Sequence, residues 1–309
     1  NSCSHPSGSK SPDIFVGHGV VDLSTILPVE KDFGVQITHP ENDKELLNTH
    51  SVKENGHVVA KILVDNSLIK KKLQITLSYI DPTLNQESQI PITRDLDLIV
   101  VSPSKKTFYG DHLDQNDSQH CSANEKVIIN ENEVEKGEYT VHIFGGVFAD
   151  SKLSDSNDNQ VFSVVASGPI SNKYLEFTES SECLCDKCDP INPGYCLCEE
   201  NKNVGPDCHV DIETVNGTKS EFNVGILEIK RIRFQIEKNI KSIKSSSSHP
   251  SDGFTLWVSP KCHLALGEYD LYDTTYSKVH KTKINFKTNE VCVAIFNNND
   301  RSATYTIEV

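Results

Sequence analysis

The sequence predicts a mostly β chain: two antiparallel β-sandwiches of jelly-roll type joined by a small disulfide-rich segment. Three observations predict it. Short apolar/polar alternations recur between Leu73 and Gly168 and again after Asn216, and alternation puts successive side chains on opposite faces of a strand. No convincing helical pattern lies between them, so the crossover helices that a parallel sheet needs are absent. Six of the ten cysteines crowd into residues 183 to 208.

Residues 1 to 28 are rich in Ser, Pro and Gly before turning apolar. Asp22 to Leu27 is expected to form one short helical turn, ended by Pro28. It is too short to bury a face unaided. From Lys31 the chain reads as β. "LQITLSY" (73–79) sets Leu73, Ile75, Leu77 and Tyr79 on one face, and Asp81-Pro82 marks a turn. "DLDLIVV" (95–101) sets Leu96, Leu98 and Val100 inward, with Asp95 and Asp97 on the solvent side. "YTVHIFG" (139–145) turns Tyr139, Val141 and Ile143 inward, and "VFSVVASG" (161–168) closes the series. The 183–208 stretch has no periodicity and is too small to bury a core, so it must be stapled covalently. Beyond it, Ile232, Phe234 and Ile236 oppose Arg231, Arg233 and Gln235. "GFTLWVSP", "VCVAIF" and "ATYTIEV" complete a second β set. "IKSSSSHPSDG" (243–253) reads as a low-complexity loop without an apolar anchor. The expected organisation is 1–30 as the tail of a preceding domain, 31–172 as a sandwich, 180–210 as the disulfide module and 216–309 as a second sandwich.

Composition narrows the function. The 309 residues carry a formal charge of −14, which argues against nucleic-acid binding. The basic run Lys70-Lys71-Lys72 reads as a solvated turn. No apolar run reaches the length of a membrane-spanning helix. The chain lacks Met and starts Asn1-Ser2-Cys3, so residue 1 is not expected to be a translation start. Dense, even cysteines indicate an oxidising compartment, hence a secreted or cell-surface protein. The sequons at Asn116 and Asn216 agree as glycosylation candidates. Cys262 and Cys292 both flank strands of the second set. Pairing them closes a loop of about 30 residues and adds roughly 3–4 kcal/mol on the chain-entropy model. Cys3 and Cys121 have no assigned partner. Sequence alone allows the six clustered cysteines fifteen connectivities.

Residues 73 to 170 resemble the β-domain that follows the catalytic domain in many subtilisin-like serine peptidases. The resemblance rests on "LQITLSYIDP", "RDLDLIVVSPSKKTFYGD", "VEKGEYTVHIFGGV" and "QVFSVVASG", in that order over about a hundred residues. "GHGVVDLSTIL" (17–27) resembles the Gly-x-Gly-x-Val-Asp motif that ends that family's catalytic domain, with Asp22 placed to cap a short helix. "ECLCDKCDPINPGYCLCEENKNVGPDC" resembles a cysteine-dense EGF-like module. That resemblance implies the pairs Cys183–Cys188, Cys185–Cys196 and Cys198–Cys208. Residues 220 to 309 resemble, more faintly, a sandwich of the kind appended to secreted peptidases.

The resemblance implies a non-catalytic C-terminal part of a subtilisin-like serine endopeptidase. Its partners would be its own upstream catalytic domain and protein substrates, with no nucleic acid. The alternative is an extracellular adhesion or matrix-binding protein built of the same modules. The family's motifs for the Asp, His and Ser of the triad do not occur, and without Met the Gly-Thr-Ser-Met-Ala motif cannot occur. His18, followed by Gly19 and Val20, is therefore read as structural or surface, and the triad is expected before residue 1. No cofactor is required. Calcium is the candidate ion, with Asp95, Asp97 and Asp111 as ligands and Asp114 and Asp117 nearby. Asp150, Asp155 and Asp158 lack the Gly and Glu placement of an EF-hand. Cys185 and Cys188 have zinc-knuckle spacing, but the C-x-C pairs favour disulfides. Trp257 lies opposite the Phe254–Leu256–Val258 face, either as a ligand platform or covering a sheet edge.

Overall fold

The computed structural model describes residues 3–4, 20–21, 33–38, 50–65, 71–82, 92–110, 123–148, 159–171, 173–199, 203–225, 229–249, 254–262, 271–275, 279–285, 287–297 and 301–309. The chain divides into two compact units, the first carrying the strands up to Ser181 and the second those from Glu182 onward. The described residues contain strands and turns and no helix. The proposed turn at Asp22–Leu27 lies outside them.

The first unit holds β1 (Cys3–Ser4), β2 (Val20–Val21), β3 (Gly34–Thr38), β4 (Ser51–Val52), β5 (His57–Val64), β6 (Leu73–Tyr79), β7 (Arg94–Val101), β8 (Thr107–Tyr109), β9 (Asn124–Ile129), β10 (Gly137–Phe148), β11 (Gln160–Gly168), β12 (Lys173–Leu175) and β13 (Thr178–Glu179). Two sheets form, in the orders β13-β5-β10-β7-β8 and β12-β3-β11-β6-β9, with β4 beside β11. A single core fills the space between them. From one sheet come Ile62, Leu98 and Ile143, and from the other Leu73, Ile75 and Val164, all at most 1 % exposed. Leu73, Ile75, Leu98 and Ile143 are among the residues that the alternation turns inward. The Asp-Pro turn starts β7: the Asp81 carboxylate accepts the Thr93 and Arg94 amides, each at 2.8 Å. At the far end Gly34 pairs with Gly168, and a Cβ on Gly34 would collide with the Ile170 carbonyl.

The second unit begins with the cysteine module, including the small ladder of β14 (Asn203–Val204) and β15 (Val210–Asp211). Then follow β16 (Glu213–Asn216), β17 (Lys219–Val224), β18 (Ile229–Gln235), β19 (Ser242–Ser247), β20 (Phe254–Ser259), β21 (Leu271–Thr275), β22 (Val279–Lys283), β23 (Glu290–Phe296) and β24 (Ala303–Glu308). They form sheets β16-β18-β23-β20-β21 and β17-β24-β19-β22 around a second core. Phe254 and Tyr305 meet edge-to-face across it at 5.0 Å.

The two units share one topology. Taking β3 and β5–β11 as one set of eight and β17–β24 as the other, each pairs its strands antiparallel as 2-7-4-5 and 1-8-3-6. That is the jelly roll, two Greek keys folded into a sandwich. Short extra strands cover edges: β12 and β13 in the first unit, β16 in the second.

One expectation is corrected here. Residues 242–247 are not a loop but β19, an inner strand of its sheet. Ile243 is fully buried and Ser245 and Ser247 take the other inward positions. Serines mask the alternation, because a small hydroxyl fits an inward site without registering as apolar.

Candidate functional site

The motif-bearing strands β7 and β10 meet β5 on one face of the first sandwich. Register sets Phe144 opposite Asp97 on one side and His57 on the other. This is the outward face of the sheet, yet Asp95, Asp97, Ile99, His57, His142 and Phe144 are all at most 7 % exposed. The expected solvent-side position of Asp95 and Asp97 is therefore corrected: β7 is buried on both faces, as in a fully covered strand.

The His57 imidazole lies flat on the Phe144 ring, with centroids 4.1 Å apart and planes within 1°. Its Nε2 is 3.0 Å from His142 Nδ1, so one ring donates and the other accepts. Burial, with His142 adding to it, pushes the His57 pKa from 6.5 down to about 3; a backbone hydrogen bond with Ser180 acts the other way. His57 is thus neutral at physiological pH. On the core side of the same region, Leu98 N–H donates to Glu125 Oε2 at 2.6 Å and Leu96 N–H donates to the Tyr79 hydroxyl at 3.3 Å. Burial and then the nearby Asp95 and Glu125 carboxylates hold the Tyr79 phenol well above its ordinary range. Neither histidine nor Glu125 stood out in the sequence. Their signal was a polar residue at a covered position, which alternation alone cannot see.

Of the calcium candidates, Asp95 and Asp97 lie on the covered face of β7, and Asp111 lies outside the described residues. Among the described residues, the one group of three or more ligating side chains within reach of a common ion is Cys183, Cys185 and Cys196. Those sulfurs are consumed: the structure bonds Cys183 to Cys188, Cys185 to Cys196 and Cys198 to Cys208. No thiolate of the zinc-knuckle spacing remains to ligate a metal. Gly205 adopts a positive φ of 108° in the turn before Cys208, where glycine costs least. His209 Nδ1 sits 2.5 Å from Asp207 Oδ1 in the same turn. Apolar side chains Ile191 and Leu197 stay exposed, so the crosslinks hold this module in place of a core.

Cys262 bonds to Cys292, and this bridge packs with Val210 and Ile212 just after the module. Trp257 is only 2 % exposed and packs with Ile229, Ala294 and Phe296, so it is no open platform. Asn216 ends the edge strand β16 with an exposed side chain, followed by Gly217 in open space. His18, Asn116, Asp114 and Asp117 lie outside the described residues. Cys3 falls in β1 and Cys121 outside them. Four disulfides indicate an oxidising compartment.

No family model matches the chain, and no curated protein matches it. Among solved structures it is similar to the CUB1-EGF-CUB2 domain of human MASP-1/3, at 12% identity and a TM-score of 0.20, over 90% of this chain and 99% of that one. The CUB1-EGF-CUB2 domains of rat MASP-1 give 10%, 0.21, 90% and 98%. The CupB6 tip adhesin of Pseudomonas aeruginosa gives 7%, 0.18, 90% and 88%. Scores of this size carry no inference about function, and the fold rests on the sheets described above.

Proposed function

We propose that this chain is the non-catalytic C-terminal part of a secreted or cell-surface subtilisin-like serine endopeptidase, whose Ser-His-Asp triad lies upstream. One observation carries the reading. The four motifs quoted in order fall on β6, β7, β10 and β11, four strands of one jelly roll with a common core. In this reading the first sandwich supports the catalytic domain, and the disulfide module and second sandwich act as spacer or in recognition of substrate or surface. Calcium, if used, would be held at Asp95 and Asp97 with Asp111.

Two experiments test it. Sequencing the upstream coding region is expected to reveal a Gly-Thr-Ser-Met-Ala motif within about a hundred residues; further EGF-like or sandwich modules there would make the chain an adhesion protein instead. Residues 1–309 alone are expected to leave a chromogenic peptide uncleaved, and turnover that tracks the purified chain would refute the non-catalytic assignment. The same reading expects N-glycosylation at Asn116 and Asn216. Protein secreted from a eukaryotic host should lose the mass of two glycans on peptide N-glycosidase treatment, and Asn116→Gln and Asn216→Gln should each lack one of them.

A further inference from the structure

The charge of this acidic chain is unevenly divided. Residues 1–218 hold 17 Lys and Arg against 34 Asp and Glu, whereas residues 219–309 hold 13 against 10. The excess gathers on β19 and β22 and their flanks. Stretches 238–247 and 279–287 contain six lysines and no Asp or Glu. Register places Lys244 directly opposite Lys281, and Lys283 opposite Ser242, so Lys244, Lys281 and Lys283 share the outward face. All three are exposed. Neighbouring strands lie about 4.8 Å apart and alternate residues about 7 Å apart along a strand, so three cations fall within one small triangle. On the other side of Lys244, Glu308 approaches at 3.8 Å, an exposed pair too weak to cancel the cluster.

The fold does not require these lysines. In the first sandwich the equivalent strands β6 and β9 carry Gln74, Thr76, Ser78, Asn124, Lys126 and Ile128 on that face. Like charges placed directly opposite each other cost stability. Lysines on an edge strand deter strand addition, which accounts for Lys281 and Lys283 on β22. It does not account for a third lysine, Lys244, beside them on the inner strand, nor for the lack of Asp and Glu within β19 and β22 themselves.

We propose that the outward face of β19 and β22 binds a sulfated polysaccharide through Lys244, Lys281 and Lys283. The exposed large apolar residues, Ile37, Leu63, Ile80, Ile128, Tyr174, Ile191 and Leu197, all precede residue 198. Among the described residues this face thus offers nothing to insert into a bilayer, and a membrane surface needs an apolar anchor beside the charge. Its described residues include no exposed aromatic for stacking bases. What remains is a cationic surface carrying Ser242 and Ser246, suited to a linear chain of anionic groups on a polar backbone. The surface does not depend on the peptidase reading, and its test is independent of any turnover.

The test uses residues 1–309 at pH 7.4 and immobilised heparin as the probe. Wild type should be retained and elute with salt, and Lys244→Gln/Lys281→Gln/Lys283→Gln should bind about tenfold more weakly, with a log affinity against log salt slope shallower by about two. Lys53→Gln/Lys105→Gln/Lys136→Gln, the same charge change on exposed lysines of the first sandwich, should stay within about twofold. Circular dichroism checks the fold, and if the triple variant is unfolded, Lys281→Gln and Lys283→Gln singly carry the comparison. Absence of wild-type retention would reduce the lysines to edge protection and overturn the proposal. So would equal losses in both triple variants, or equally tight binding to phosphatidylserine vesicles or single-stranded DNA.

Discussion

At the scale of single residues, the covered face of the first sandwich sets a pH dependence. His57 is held neutral by burial, with a pKa near 3 against 6.5 in the unfolded chain. The unfolded state therefore binds the extra proton between those values. The stability this site contributes is complete above about pH 6.5 and falls as pH drops toward 3, at up to about 1.4 kcal/mol per pH unit. Urea melts across pH 4–7 should show this slope, and His57→Phe, which keeps the stack on Phe144, should flatten it. In the second sandwich Asn297 is fully buried. Its amide donates to the Val224, Gly225 and Arg301 carbonyls at 3.1, 2.8 and 2.9 Å, and its Oδ1 accepts from the Tyr305 hydroxyl at 3.0 Å. Asn297→Ala strands those carbonyls, so a loss of about 2–4 kcal/mol is expected in chemical denaturation. Tyr305→Phe, which removes one bond, should cost about 1 kcal/mol.

At the scale of elements, the strands fall into two kinds. Those with apolar inward positions and polar outward ones, such as β6 and β24, are legible from alternation alone. Strands covered on both faces, such as β7 and β20, show less contrast, and β19 shows almost none because serine fills its inward sites. The bridge between Cys262 and Cys292 ties β23 to the turn after β20. Replacing both with Ser should lower the stability of the second unit by about 3–4 kcal/mol, read as a shift in its denaturation midpoint. An unchanged midpoint would mean that the loop is already constrained in the unfolded chain.

At the scale of the whole molecule, two jelly rolls of one topology are stabilised differently. The described residues of the first hold no disulfide, while those of the second hold four. Calorimetry in mild reductant should therefore leave one transition in place and move or abolish the other. A common shift of all heat absorption would show that the units unfold as one. The division of charge at residue 218 falls inside the second unit, after its acidic cysteine module, and gives the sandwich that follows its cationic face.

The sequence by itself determined the β class, the inward residues of the alternating strands, the oxidising setting and the acidity of the chain, because these depend on residue type and short-range order along the strand. Tertiary structure alone decided which strands are neighbours, hence that both sandwiches are the same jelly roll. It also decided that Asp97, Phe144 and His57 form one covered row and that Lys244 faces Lys281. Hydrogen bonding across a sheet joins residues far apart in the chain, and no local pattern encodes that register.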